Sequence, residues 1–272
     1  MKCSYKRTVI LLALLVLLYV VPVAVYAQQP FQTDDADTTG LGTFHFEFFN
    51  EFDVLQKTFY PSRTQNTSNF KLNYGLTDRI ELDCDIPVIT IFNADVSPLG
   101  NPMGNGDLDF GVKYNFRQEK HGSWLPALAV ANYVEVPTGN VEKQLGSGVV
   151  DVELYGVAQK TLPKDFTLRA NLGFLFTGND STGLVGITSL RGVVWTAGVS
   201  LVREINSRLS LGGEVFGGWT ANRALRESQL TPLVGVIYAV RDNFSFNFAF
   251  HGDKGEGSPR VGAVVGFSMD FK

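Results

Sequence analysis

Ile80 to Val88 alternates almost without a break: Ile80, Leu82, Cys84, Ile86 and Val88 fall on one side, and Glu81, Asp83 and Asp85 on the other. A period of two is a β-strand, because successive side chains point to opposite faces. Gly104 to Phe116 repeats the pattern. Leu108, Phe110, Val112, Tyr114 and Phe116 oppose Asp107, Asp109, Gly111, Lys113 and Asn115, after a Gly-Asn-Gly-Asp start that is turn chemistry. One face is apolar and aromatic while the other carries charge. The pattern recurs along the chain at the length that suits a bilayer, where a tilted strand needs about 9–11 residues, apolar outward and polar inward. Beyond the N-terminal stretch no run of about 18 apolar residues exists, so the rest of the chain has no transmembrane helix. A chain that spans lipid without helices must be a closed barrel, since nothing else satisfies its backbone polar groups.

The alternation predicts twelve strands: Thr43–Asp53, Asn69–Tyr74 with the residues just before it, Ile80–Val88, the Gly104–Phe116 stretch, Trp124–Val136, Val149–Lys160, Thr167–Thr177, Val193–Arg203, Leu209–Thr220, Leu230–Val240, Phe244–His251 and Arg260–Phe271. Long and short connections alternate between them. Outer-membrane barrels sort their loops this way, with short periplasmic turns and longer external loops, whereas a soluble sandwich has no reason to. The expected fold is all-β, a transmembrane antiparallel up-and-down barrel of about 12 strands. Trp124 near a short turn, and Trp195 and Trp219 near the opposite end, fit aromatic girdles at the two interfaces.

Residues 1–27 read as a secretory signal. Lys2, Lys6 and Arg7 precede the apolar stretch Thr8 to Val21, Pro22 breaks it, and Val25-Tyr26-Ala27 supplies small residues at the cleavage positions. Cleavage after Ala27 would leave residues 28–272 as the barrel and place it in the bacterial outer membrane. Residues 28–42 would be a short periplasmic segment leading into the barrel mouth. Losing Lys2, Lys6 and Arg7 takes the formal charge from −4 to −7, which argues against a nucleic-acid partner. Cys84 is then the sole cysteine, so no intramolecular disulfide can form.

Sorted by parity, the lumen-lining candidates are mostly acids: Glu47, Glu51, Glu81, Asp83, Asp85, Asp107, Asp109, Asp151, Glu153 and Glu214, with Lys71, Lys113 and Arg169 as bases. A wet lumen of this kind favours cations. The alternative is an inward network of acids and bases that fills and blocks the barrel. A hydrolase would need a nucleophile, a base and an orienting group within reach. His251, near Asp253 and Ser258, is the histidine placed closest to the outer leaflet, but its parity is inward. No Gly-rich phosphate loop, Cys/His metal spacing or nucleotide fingerprint is present, so neither catalytic residues, a metal nor a cofactor is expected. Asp34, Asp35 and Asp37 read as solvated acids with at most weak Ca²⁺ affinity. Arg191, Arg223 and Arg226 fall in predicted external loops, where lipopolysaccharide phosphates would lie.

Three stretches resemble one family. Gln29-Pro-Phe-Gln-Thr-Asp-Asp-Ala-Asp-Thr-Thr-Gly-Leu-Gly42, leading into an aromatic-rich strand, is similar to the N-terminal lead-in of the outer-membrane transporter-like family named for the MetA pathway of phenol degradation. Gly104–Tyr114, with Leu125-Pro-Ala-Leu-Ala129 and Val136-Pro-Thr-Gly139, resembles that family's central signature. Gly75-Leu-Thr-Asp-Arg79 resembles its first periplasmic turn. The resemblance implies a barrel that passes small solutes, often aromatic or hydrophobic, and supplies no residue-level site. The expected partners are outer-membrane lipid and lipopolysaccharide, the barrel-assembly machinery during biogenesis, and the solute. The competing reading is a closed structural or binding barrel that meets lipopolysaccharide or partners through its loops, and a third is an outer-leaflet hydrolase.

Overall fold

The computed structural model describes residues 29–120, 122–177, 192–219, 228–253, 255 and 258–272. The proposed leader, His121, Arg191, Arg223 and Arg226 lie outside the described residues. Among those described, one antiparallel sheet contains β1 (Phe44–Val54), β2 (Ser62–Gly75), β3 (Ile80–Asn93), β4 (Met103–Asn105), β5 (Leu108–Arg117), β6 (Ala127–Val136), β7 (Asp151–Leu162), β8 (Phe166–Thr177), β9 (Gly192–Asn206), β10 (Leu209–Trp219), β11 (Ser228–Arg241), β12 (Phe244–His251) and β13 (Val261–Phe271). The last strand pairs back on the first, from Val54 against Val261 to Phe44 against Phe271. The sheet therefore closes and leaves no edge. β4 and β5 both pair with β3 and are separated by Gly106 and Asp107, so they make one strand of a 12-strand barrel.

At the short-turn end four of the five connections, residues 76–79, 163–165, 207–208 and 242–243, are tight turns, and the β5–β6 connection there is longer; residues 55–61, 94–102, 137–150 and 252–260 form the long-loop end. The outer wall is apolar, with Leu82, Ile86, Phe110, Val112, Phe248 and Val265 among its exposed side chains. Trp124 stands exposed at the short-turn end, and Trp195 and Trp219 are cross-strand partners near the other. The closing seam between β1 and β13 is aromatic. Phe44 stacks on Phe271 at 5.6 Å, and Phe267 meets Phe46 at 6.1 Å and Phe48 at 5.7 Å. Such pairs add about 0.5–1.5 kcal/mol each beyond their buried area.

Several strand bounds differ from the sequence expectation, three of them for a physical reason that the structure shows. β2 begins at Ser62 instead of just before Asn69 because its first half is polar on both faces. Asn50 and Asn66 bond each other on one side, Asn50 also reaches Ser68 at 2.9 Å, and Gln65 donates to Thr67 on the other. Without an apolar face the alternation is invisible. β3 runs on to Asn93 because Ile89 and Ile91 are apolar on the inner side, where they pack with Leu55 and Leu145. β6 starts at Ala127, since Ser123–Pro126 belong to the preceding turn, where the Leu125 N–H donates to the Ser123 hydroxyl.

Candidate functional site

The interior is not simply lined by strands. Residues 29–39 lie inside it. The segment enters at the short-turn end, where Leu41 bridges Gly75 and the Gly42 N–H donates to the Gly75 carbonyl at 2.8 Å. A Cβ on Gly75 would lie 2.1 Å from the Gly40 oxygen, so this crossing requires glycine. From there the segment circles the inner wall. Thr39 donates to Glu81 on β3, Ala36 accepts from Asn115 on β5, and Asp37 accepts from Gln159 on β7 at 2.6 Å. The N–H groups of Gln32 and Thr33 donate to the Glu214 carboxylate on β10 at 2.7 and 2.8 Å. Phe31 is buried among Val202, Leu233, Ala249 and Val264. The Gln29 N–H returns to Glu47 on β1 at 3.4 Å. Three glycines make room for this path: a Cβ on Gly198, Gly212 or Gly235 would come within 2.7 Å of Thr33, 2.6 Å of Phe31 or 2.6 Å of Pro30.

Charge holds the middle of the segment. Lys113, fully buried, places its Nζ 3.3 Å from Asp34, 3.7 Å from Asp35 and 3.1 Å from Glu81. Arg169 stands 3.7 Å from Asp35 on the other side. Tyr155 donates to Asp34 at 3.0 Å. Burial pushes the Asp35 carboxyl up to about 6, opposed by Lys113 and Arg169 and assisted by Asp37 and Asp34. The sequence expectation that Asp34, Asp35 and Asp37 are solvated is therefore wrong: Asp34 and Asp35 are buried and Asp37 half-buried, with partners on the wall.

Against the segment lies a cavity of about 390 Å³. Phe31, Thr33 and Asp34 contribute to its lining from the segment, and Lys71, Asp85, Asp109, Tyr133, Asp151, Glu153 and Tyr155 from the wall. The Tyr133 and Tyr155 rings stack at 6.0 Å and 5°. Lys71 Nζ is 5.8 Å from the centre of the Tyr133 ring, and Tyr133 donates to Asp83 at 2.8 Å. Each tyrosine pairs with a cross-strand glycine, Gly111 and Gly173; the Tyr133 ring lies over Gly111, where a Cβ would come within 2.4 Å of it.

The sequence-derived residues thus divide by task. Glu47, Glu81, Lys113, Arg169 and Glu214 hold the segment. Lys71, Asp83, Asp85, Asp109, Asp151 and Glu153 line or support the cavity. Asp107 does neither. Its carboxylate accepts from Gly139 at 2.8 Å and Ser147 at 2.6 Å, drawing the 137–150 loop inward so that Leu145 packs on Ile89 and Ile91. Glu51 stands beside His251. The Ser258 hydroxyl donates to Asp253 at 2.7 Å, and His251 faces Glu51 and Asp53. Tyr133 and Tyr155 escaped the sequence reading. An inward-parity tyrosine opposite a glycine was the available signal.

Over residues 27–269 the sequence matches the family described as the MetA-pathway of phenol degradation. The chain belongs to this family. No curated protein matches it. Among solved structures, the family member's barrel is similar to the COG4313 outer membrane channel from Pseudomonas putida F1, with a TM-score of 0.67 at 18% identity, covering 87% of this chain and 98% of that one. It is also similar to the KdgM porin in complex with oligogalacturonate (TM-score 0.56, 10% identity, 84% and 99% covered). A third similar structure is the translocator domain of the autotransporter NalP from Neisseria meningitidis (TM-score 0.52, 12% identity, 87% and 91% covered). At these identities the likeness is one of fold.

Proposed function

We propose that the protein is an outer-membrane channel for small solutes, held closed in this state by residues 29–39. The observation that carries the reading is the cavity with its stacked Tyr133 and Tyr155, set against a segment that is tied to the wall by side chains and turns instead of being built into the sheet. The apolar outer wall and the end-sorted loops support the membrane setting, with the short turns in the periplasm. Family membership and the channel fold of its structural relatives point the same way. Cleavage after Ala27 is part of the proposal, because Gln29 already lies buried beside Glu47 and an apolar leader has no place among charged side chains. The outer wall then meets lipid and lipopolysaccharide, and the assembly machinery reads the last strand, which ends at Phe271.

The chemistry of the cavity selects the solute class. Asp85, Asp109, Asp151 and Glu153 outnumber Lys71 around it, which favours cations and neutral molecules over anions. The tyrosine faces favour flat aromatic groups, and a cationic aromatic solute would be favoured by both features. The test is efflux from liposomes that contain the full refolded chain, loaded with benzyltrimethylammonium or with benzenesulfonate. Faster passage of the cation is expected. Equal or faster passage of the anion overturns the selectivity, and no passage of either, through the full chain or through a chain lacking residues 29–39, overturns the channel in favour of a closed binding barrel.

A further inference from the structure

At the long-loop end, apart from the cavity and the segment, Glu51 and Asp53 of β1 meet His251 of β12 across the intervening β13. Asp53 and His251 are both register partners of Gly262, so the three form one row across three strands with a bare position in the middle. His251 Nε2 lies 3.0 Å from Glu51 Oε1 and 3.4 Å from Asp53 Oδ1. A Cβ on Gly262 would lie 2.2 Å from Asp53 Oδ1 and 2.3 Å from His251 Nε2. The Asp53 and His251 heads therefore meet in the space that this glycine leaves open, with the Glu51 carboxylate beside them against His251.

The convergence is not explained by hydrogen bonding. The His251 and Asp53 side chains are 4% and 3% exposed, yet neither ring nitrogen of His251 nor Oδ1 of Asp53 has a hydrogen-bond partner. The carboxylate oxygens are near enough to Nε2 yet make no hydrogen bond with it. An ion held between the three heads would account for both facts. Bonds of about 2.0–2.1 Å in a tetrahedral site set neighbouring ligand atoms about 3.3 Å apart, and the observed separations are 3.0 and 3.4 Å. One imidazole and two carboxylates suit a borderline divalent ion, and three protein ligands leave a fourth position open. Glu51, whose side chain is 21% exposed, opens the site to solvent.

We propose that Glu51, Asp53 and His251 bind a divalent transition-metal ion, with Zn²⁺ best matched to the donors, and that the ion clips β1 to β12 over Gly262. The residues are about 200 positions apart in sequence, so no ligand spacing announces them. The proposal stands whether or not the barrel conducts.

Calorimetric titration of ZnCl₂ into the full refolded chain, untagged and in detergent without chelators, tests it. One ion per barrel is expected. His251→Gln should weaken binding at least tenfold, and Gly262→Ala should do the same by filling the space while removing no ligand. Cys84→Ser, on the outward face, should leave binding unchanged. Heat-modifiable gel mobility establishes that each variant is folded. If His251→Gln does not fold, Glu51→Gln carries the test, because that side chain is the least buried of the three. Absence of binding, or binding that all three site variants retain, overturns the proposal.

Discussion

Lys113 Nζ lies 3.3 Å from Asp34 Oδ1, joining the barrel wall to a stretch of chain 79 residues earlier. The lysine is fully buried and also serves Asp35 and Glu81. Removing it leaves three carboxylates without their shared cation. Breaking a buried charge network in this way costs about 3–5 kcal/mol. Lys113→Met should therefore release residues 29–39 while the β-sheet stays closed. Protease cleavage within that segment should become fast, with heat-modifiable mobility retained. Unchanged protection would mean that the charge contacts do not hold the segment.

Asp35 gives the closure a pH dependence. Its carboxyl lies at about 6 in the docked state, above the ordinary 3.8, with burial the chief cause. Docking therefore takes up a proton. The cost of holding Asp35 ionised is absent below pH 3.8, grows between 3.8 and about 6, and is complete above that. Lowering the pH from 7 to 5 should hold the segment more tightly, slowing its cleavage, and Asp35→Asn should flatten that response. Faster cleavage at pH 5 in the wild type, with Asp35→Asn flat, would contradict the sign.

The wall glycines allow a test that leaves every charge in place. A Cβ on Gly212 meets Phe31 Cζ at 2.6 Å and Val202 at 2.9 Å. Overpacking of this kind costs about 1–3 kcal/mol. Gly212→Val should displace the Phe31 end of the segment and raise conductance several-fold, less than Lys113→Met does.

Asp107 should matter to the loop and not to ion passage through the cavity. Asp107→Ala strips the Gly139 and Ser147 N–H groups of their acceptor, at about 1–3 kcal/mol for each buried donor left unmet. Cleavage within residues 137–150 should accelerate, and cation preference in a salt gradient should stay the same.

The barrel was legible because its physics is periodic. Outward Phe, Leu and Val against inward charge repeats every second residue, and the tight turns gather at one end. Where both faces are polar, as in Ser62–Ser68, or where an inner position turns apolar, as at Ile89 and Ile91, the period vanishes and the strand ends were misplaced. Parity identified acids such as Glu81 and Glu214, but not what they hold. Residues 29–39 carry no period, and their acids look solvated until Lys113, Arg169 and Gln159 are brought to them from distant strands. The row of Asp53, Gly262 and His251 was hidden for the same reason, since register between the first and last strands is set by closure and not by local sequence.

Single-channel conductance in a planar bilayer, comparing the full chain with a variant that lacks residues 29–39, tests the central claim most directly. The full chain should be closed or flicker at low conductance, and the deletion variant should be steadily open and cation-selective. Conductance that is the same in both, with both proteins folded and heat-modifiable, would contradict it.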